Sequence, residues 1–140
     1  MRDKLIELIE SLRSRGAKVT EINKWAQYLR SVWKQEFANH LSDYEKREIN
    51  LDHFLWHLFS YKKVNCFENE NAKSMFNVEG KKDVYLFFQH YEIALIVENV
   101  ELINANEFDN YNDIYIVDKK LRWTYIQTHE SQCGPYFFKR

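Results

Sequence analysis

The sequence predicts a single α+β domain, with N-terminal helices packed on a C-terminal antiparallel sheet of about four to five strands. Apolar residues recur at helical spacing in the first half of the chain, whereas from Asp83 onward they fall into short, strand-like runs. Helices first and strands later are typical of the α+β class. The 140 residues fit one domain, and neither a repeat nor a linker divides residues 1–140.

The first part of the chain is predicted to be mainly helical. Leucine and isoleucine follow helical spacing through residues 2–15, and Gly16 suits the C-cap of this first helix. Ala17–Ile22 is short and fits either a strand or the approach to a helix. A longer helix is predicted from Ile22 to Leu41, because its apolar residues recur every three or four positions. Ser42–Asn50 is polar and fits a further helical turn or a loop.

Two more helices are predicted before the sheet. The run LDHFLWHLFSY at Leu51–Tyr61 is too rich in apolar residues for an amphipathic helix, so it predicts a buried one, with Asp52 as its N-cap. After the polar residues that follow Cys66, Ala72–Phe76 predicts a short helix.

The second half of the chain predicts two antiparallel hairpins. The first joins Val84–His90 to Ile93–Glu98, and the second joins Ile114–Val117 to Trp123–Thr128. Tyr136–Phe138 follows a Gly-Pro pair and is predicted to return as an edge strand.

Charge and composition exclude several classes of protein. The net charge is -1 and the pI is about 6.5, whereas nucleic-acid-binding proteins usually carry a basic surplus. No apolar run approaches the roughly 20 residues of a membrane span, and the N-terminal residues lack the apolar core of a signal peptide. Cys66 and Cys133 are able to pair but do not form a disulfide framework. We therefore expect a cytoplasmic protein with reduced thiols, no nucleic acid and no membrane.

The histidines supply one possible metal site. His53 and His57 are four residues apart and share a face if they lie on one helix. This spacing suits two ligands of one metal ion, with His129 or Glu130 as a third ligand, but it is not the HExxH motif. The alternative is a pair of structural histidines hydrogen-bonded beside aromatic rings.

The segment WTYIQTHESQCGPYFF at residues 123–138 is the second candidate site. On a strand, Trp123, Tyr125, Gln127 and His129 share a face, so the two aromatic rings form an apolar floor. His129 and Glu130 then supply polar groups where the strand ends. Neighbouring strand residues face opposite ways, so we expect His129 and Glu130 not to touch each other. The block fits partner binding, base catalysis, or hydrogen bonds that fasten a loop.

Other catalytic motifs are missing. Cys133 lies near His129 in the sequence, but no cysteine-hydrolase signature surrounds it, so a buried or loop thiol is the better interpretation. No glycine-rich phosphate loop, nucleophile elbow or calcium loop is present. No motif predicts a cofactor.

Aromatic residues are unusually abundant, with ten Phe, nine Tyr and four Trp. Large rings fill a small core well. Exposed Tyr and Trp are, however, enriched in protein interfaces. A surplus beyond what the core holds would favour a binding surface.

Three stretches of the chain resemble a known family. They are VTEINKWAQYLRSVWKQEFANHLS, FLWHLFSY and DIYIVDKKLRWTYIQTHESQCGPYF. They are similar to small proteins of Bacillus and related Firmicutes that contain the domain of unknown function numbered 4275. The most specific parts are the blocks Trp56–Tyr61 and Thr128–Phe137. The resemblance implies a small cytoplasmic bacterial protein and supplies no catalytic residues. The C-terminal block alone also resembles the ending of some bacterial immunity-type proteins.

Two functions follow from these observations as hypotheses. The first is a non-enzymatic protein-binding module, regulatory or immunity-like, with a protein partner. The second is a small metal-assisted hydrolase that uses His129 and Glu130 with His53 or His57. The candidate binding residues are Trp56, His57, Tyr61, Trp123, Tyr125, His129 and Glu130.

Overall fold

The computed structural model describes residues 1–140 and is of the α+β class, with one sheet between two layers of helices. The α-helices are α1 Arg2–Ser14, α2 Ala26–Phe37, α3 Asp43–Glu48, α4 His57–Ser60 and α5 Asn69–Val78. The strands are β1 Lys18–Ile22, β2 Phe67–Glu68, β3 Asp83–Phe88, β4 Ala94–Glu98, β5 Ile114–Asp118, β6 Trp123–Gln127 and β7 Tyr136–Lys139. A 3-10 turn covers Ala105–Phe108. None of the helices has both the length and the apolar character needed to cross a membrane.

The sheet has seven strands in the order β1-β4-β3-β5-β6-β7-β2, and every neighbouring pair is antiparallel. The predicted four to five strands were too few. β1 and β2 cover the two edges, so β7 lies inside the sheet and is not the predicted edge strand. β2 has only two residues, too few to give a recognisable alternation in the sequence.

Both faces of the sheet carry a hydrophobic core. One core joins α1, α5 and the 3-10 turn to side chains such as Leu86, Ile116 and Tyr125. The other joins α2 and the segment around α4 to side chains such as Tyr115 and Ile126. All five residues of β5 are buried because this strand lies in the middle of the sheet between the two helical layers.

The first two helices differ in how well their ends were predicted. α1 ends at Ser14, close to the predicted end, and Gly16 adopts a left-handed backbone after it. The predicted second helix began too early, because Ile22 belongs to β1 and pairs with Ala94. Lys24 then takes a left-handed φ of 61° that turns the chain before α2.

The predicted buried helix at Leu51–Tyr61 is wrong over its first half. Only His57–Ser60 is α-helical. The amides of Leu55 and Trp56 donate to the side chains of Gln89 and Tyr115, so they do not follow the helical pattern. Asp52 does not cap a helix, since its carboxylate pairs with Lys34 at 2.6 Å.

Three further predicted segments contain one strand and two helices. Ser42–Asn50 contains the short helix α3, which begins with a reciprocal hydrogen-bonded pair between Ser42 and Glu45. Ala17–Ile22 contains the strand β1 rather than the approach to a helix. The short helix predicted at Ala72–Phe76 is the middle of α5.

The two predicted hairpins are confirmed, and their strands set the two ends of the sheet. β3 pairs with β4, and β5 pairs with β6, within two residues of the predicted bounds. Because β3 and β6 both run antiparallel to β5, their C-terminal ends lie at the end of the sheet where β5 begins. The β5–β6 turn, Lys119–Arg122, lies at the opposite end.

Candidate functional site

The candidate site lies at the end of the sheet where β5 begins, and the ring of Phe54 is at its centre. Four of the five histidines contact this ring. The distances between ring centroids are 4.4 Å to His53, 5.5 Å to His57, 5.3 Å to His90 and 5.0 Å to His129. We call these five residues the histidine cluster.

Separate parts of the chain supply the histidine cluster. His53 precedes α4, His57 begins it, His90 lies in the β3–β4 turn and His129 follows β6. The turn after β3 and the chain after β6 reach the same end of the sheet, on either side of β5. The fold therefore brings together residues up to 76 positions apart in the sequence.

Asp113 fixes this end of the sheet. It takes a left-handed backbone with φ 55° immediately before β5, a conformation that Asp tolerates better than most residues. Its carboxylate accepts a hydrogen bond from the indole Nε1 of Trp56 at 2.9 Å and from the backbone amide of His129 at 3.1 Å. One carboxylate thus ties the segment before α4 to the segment after β6.

His129 is held between two carboxylates. Its ring nitrogen Nδ1 lies 2.9 Å from Asp113 Oδ2, and its Nε2 lies 3.2 Å from Glu130 Oε1. The hydrogen bond to Asp113 is the main cause that raises the pKa of His129, with a smaller contribution from Glu130. The expectation that His129 and Glu130 do not touch is wrong, because β6 ends at Gln127 and strand alternation does not extend to these two residues.

A buried polar network supports the histidine cluster from beneath. The Tyr115 hydroxyl donates to Gln89 Oε1 and accepts from the Trp56 amide at 3.1 Å. Gln89 Oε1 also accepts from the Leu55 amide at 2.9 Å. Tyr115 is fully buried, and this burial raises the pKa of its hydroxyl well above the ordinary value. The network satisfies two amides that the helix leaves free and so fixes the position of Phe54.

His57 and Tyr61 extend the site along α4. The nitrogen Nδ1 of His57 donates to the carbonyl of Ile49 at 2.6 Å, which assigns the proton of the neutral ring to Nδ1. The ring of Tyr61 lies 5.3 Å from that of His57, edge to face. Tyr61 is 55% exposed, so this aromatic ring is available at the surface beside the histidine cluster.

The structure brings together five of the seven predicted binding residues and leaves two apart. Trp56, His57, Tyr61, His129 and Glu130 lie in or beside the histidine cluster. Trp123 and Tyr125 do not form its floor, because both are buried in the core under α5, where they contact Phe76. Helices cover both faces of β6, so the alternation of side chains along this strand does not show which face is near a site.

Sequence reasoning missed Asp113, Phe54 and His90 as members of one site. In the sequence, Asp113 looks like an ordinary turn residue among the polar residues before Ile114. The signal that identifies it is the pairing of the hairpin: Ile114 lies opposite Gln127, so the residue before β5 reaches the residues that follow β6. Nothing in the sequence links Phe54 to His90, since the segment before α4 and the β3–β4 turn meet only in the folded chain.

The residues present do not converge on a metal ion. No group of three or more His, Cys, Asp and Glu side chains is placed to hold one. His53 and His57 do not share a helical face, because the helix begins only at His57. Both rings instead pack against Phe54. The arrangement fits ring packing and hydrogen bonding better than coordination.

The cavities beside the histidine cluster are small or polar. One of 140 Å³ includes His90 and Asp113 in its lining, and another of 290 Å³ is lined by polar residues such as Arg30 and Gln89. Small-molecule sites usually lie in larger, mostly apolar cavities. The geometry therefore presents a surface of rings and not an enclosed pocket.

The two cysteines are free thiols. The amide of Cys133 donates to the Glu130 carbonyl at 3.0 Å, so its backbone belongs to the turn after His129. Burial raises the pKa of the Cys66 thiol to about 12. Neither residue is part of the histidine cluster.

Comparison with known proteins gives one match. The family model described as "Domain of unknown function (DUF4275)" matches residues 6–137. Neither a curated protein nor a solved structure matches the chain. The matched range includes every residue of the histidine cluster.

Proposed function

The chain belongs to the DUF4275 family, a domain of unknown function, and we propose that it is a non-enzymatic protein-binding module of the bacterial cytoplasm, regulatory or immunity-like. The observation that carries this proposal is the gathering of four histidine rings around Phe54 at the surface, beside exposed Tyr61. The module acts by placing this surface on a protein partner.

The composition of the surface supports binding to a protein. Tyr61 is 55% exposed, and His53, His90 and His129 are also exposed. Aromatic side chains give a large contact area for little loss of side-chain entropy, and they are frequent among the residues that dominate binding energy. Most of the other aromatic rings are in the two cores, so the aromatic surplus is largely structural.

The surface is also held rigidly before any partner arrives. Asp113 fixes Trp56 and His129, while the Tyr115 network fixes the segment that carries Phe54. A surface that is ordered in the free protein loses less conformational entropy on binding. The buried hydrogen bonds to the amides of Leu55 and Trp56 therefore support the binding surface by ordering the non-helical segment before α4.

Affinity capture tests the proposal. The chain, immobilised through its N-terminus, is exposed to a lysate of the bacterium that encodes it, together with the variants Tyr61→Ser and Tyr44→Ser. Tyr44 is 64% exposed on α3 and is the matched control. We expect one stoichiometric protein on the unmodified chain and on Tyr44→Ser, and its loss from Tyr61→Ser. Equal retention by both variants would show that Tyr61 is not part of the interface.

A second candidate function is a small hydrolase, favoured by the contact between Asp113 and His129. A carboxylate that orients a histidine is a common arrangement in general base catalysis. Glu130 lies against the other ring nitrogen, and the raised pKa keeps more of the ring protonated, which weakens it as a base. In a metal-assisted reaction, at most two His, Cys, Asp or Glu side chains would hold the metal ion, because no group of three is placed to do so.

The hydrolase proposal has its own test. The untagged protein is assayed for metal content and for hydrolysis of activated esters, with His129→Gln and the control His40→Gln. A metal-bearing preparation whose activity disappears only in His129→Gln would support a hydrolase. Metal-free protein without activity would exclude a metal-assisted one.

A further inference from the structure

A second surface lies at the opposite end of the sheet from the histidine cluster and is basic. Residues 64–140 carry a net charge of -4, with eight basic and twelve acidic residues. Seven of those eight basic residues nevertheless lie in three short segments of the sequence, 80–83, 118–122 and 139–140. β3 begins, β5 ends and β7 ends at this same end of the sheet, so the three segments meet there.

The centre of this surface is a cavity of 220 Å³. It is lined by four basic residues, two acidic residues and a glycine: Lys82, Lys119, Lys120, Arg122, Asp83, Asp118 and Gly80. We call the lysines among them, Lys82, Lys119 and Lys120, the lysine triad. Their ammonium groups make the cavity a site for negative charge, although the whole chain carries a net charge of -1.

The acidic residues of the cavity are already engaged within the protein. Asp118 is nearly fully buried, and its carboxylate accepts from the Arg122 guanidinium at 2.6 and 3.1 Å and from the Arg122 amide at 3.2 Å. Burial acts to raise the pKa of Asp118, but the Arg122 donors outweigh it and the pKa is lowered. Asp83 accepts from the Asn99 amide at 3.3 Å. Asp118 is therefore compensated by Arg122, whereas Asp83 keeps its charge but forms no ion pair with a lysine of the triad.

The lysine triad itself has no carboxylate partner. Three of the other basic residues at this end of the sheet are paired with carboxylates: Arg122 with Asp118, Lys139 with Glu79 and Arg140 with Glu36. The remaining one, Lys81, is buried and donates to the Phe76 carbonyl. None of the three lysines takes part in an ion pair. Once Arg122 and Asp118 are paired, three lysines face the single carboxylate of Asp83 in the cavity lining, and this excess of positive charge favours an anionic partner.

Backbone hydrogen bonds hold the turn that carries two of these lysines. Leu121 takes a left-handed φ of 60°, and its amide donates to the Asp118 carbonyl at 2.7 Å. The amide of Lys119 donates to the Asp83 carbonyl at 3.1 Å, which fastens the turn to β3 beside Lys82. The lysine backbones are thus fixed relative to one another, which lowers the entropy lost on binding.

We infer that the lysine triad binds a carboxylate-rich segment of a protein. Adjacent strands are about 4.8 Å apart, so the start of β3 and the β5–β6 turn hold the backbones of the three lysines within roughly 10 Å, the reach of a short acidic peptide. The cavity lining contains no aromatic ring on which a nucleic-acid base could stack. This second interface is separate from the proposed binding surface and does not depend on it.

Fluorescence anisotropy with a labelled hexaglutamate peptide tests this inference. We compare the unmodified chain, the triple variant Lys82→Gln, Lys119→Gln, Lys120→Gln, and a control with the same loss of charge, Lys24→Gln, Lys46→Gln, Lys63→Gln. We expect saturable binding that weakens between about 50 and 200 mM salt. Loss of the triad should reduce the affinity at least about tenfold, with the control unchanged.

Three results would overturn the inference. The first is that hexaglutamate does not bind the unmodified chain. The second is that the triad variant and the control weaken binding equally, which would show that only net charge matters. The third is that a single-stranded oligonucleotide of matched charge binds more tightly through the same lysines, which would make the surface a nucleic-acid site. Circular dichroism of both variants confirms that the fold is intact.

Discussion

Asp113 contacts His129 through both of its carboxylate oxygens, which lie 3.0 and 2.9 Å from the ring nitrogen Nδ1. This contact is the main cause of the raised pKa of His129. We predict that Asp113→Asn lowers that pKa, because the amide keeps the shape of the side chain and tolerates the left-handed backbone but carries no charge. Glu130→Gln should lower it less. An NMR titration of the His129 ring measures both.

The titration has an internal control in His40, which lies outside the histidine cluster. At any one pH, the ring resonances of His40 should be at the same positions in the unmodified chain and in both variants. An unchanged His129 pKa in Asp113→Asn would show that this carboxylate does not hold the ring in solution.

The same contact predicts how stability depends on pH. The folded state binds the His129 proton more tightly than the unfolded chain, whose ordinary pKa is about 6.5. The stabilisation is therefore fully present below about pH 6.5 and is lost as the pH rises through the raised pKa of the folded protein. It should amount to at most about 1 kcal/mol, because the ring is partly exposed. Urea unfolding of the unmodified chain and of His129→Gln measures it.

The difference between these two unfolding free energies should shrink as the pH rises. A difference that stays constant or grows with pH would contradict the assignment of a raised pKa.

Two buried tyrosines provide a matched pair of substitutions. The Tyr115 hydroxyl bridges Gln89 and the Trp56 amide, whereas the Tyr125 hydroxyl is buried without a hydrogen-bond partner. Tyr115→Phe should destabilise the fold by about 1–3 kcal/mol, because it leaves buried polar groups unpaired. Tyr125→Phe should be neutral or stabilising, because it removes an unpaired hydroxyl. Chemical denaturation compares the two variants, and an equal loss in both would refute this prediction.

A third buried hydroxyl joins α2 to the sheet. The indole Nε1 of Trp33 donates to Thr124 Oγ1 at 3.0 Å, and the Thr124 hydroxyl donates to the Ile116 carbonyl at 3.1 Å. Thr124→Val should cost about 1–3 kcal/mol, because the buried indole loses its acceptor. Thr124→Ser keeps the hydroxyl and should cost less. If the valine variant proved the more stable of the two, the hydrogen bond would not contribute as described.

The Cys66 thiol should react slowly in the folded protein. Burial raises its pKa to about 12, and the thiolate is the reactive form. At pH 8, iodoacetamide should therefore modify Cys66 far more slowly in the native chain than in urea, as followed by mass spectrometry of its peptide. Similar rates in both conditions would show that the thiol is accessible.

The strands were largely predictable because their signals are local. The hairpins formed by β3 with β4 and by β5 with β6 have apolar runs bounded by polar turns. β2 was not predictable, because two residues show no period and its pairing with β7 depends on the tertiary fold. The non-helical start of Leu51–Tyr61 depends likewise on distant acceptors, Gln89 and Tyr115.

The site was predictable in part for the same reason. Trp56, His57 and Tyr61 lie close together in the sequence, as do His129 and Glu130. Their meeting depends on Asp113, whose side chain looks like an ordinary turn residue until the pairing of β5 with β6 is known. Trp123 and Tyr125 could not be assigned to a face, because helices cover both sides of the sheet.

The most direct test of the protein-binding proposal is photo-crosslinking from the surface itself. A photoreactive phenylalanine is placed at Tyr61 or, as a control, at Tyr44, and the protein is irradiated in the cells that encode it. We expect one discrete protein adduct from the Tyr61 position and none from the Tyr44 position. The absence of an adduct at Tyr61, or an identical adduct at both positions, would contradict a binding surface beside the histidine cluster.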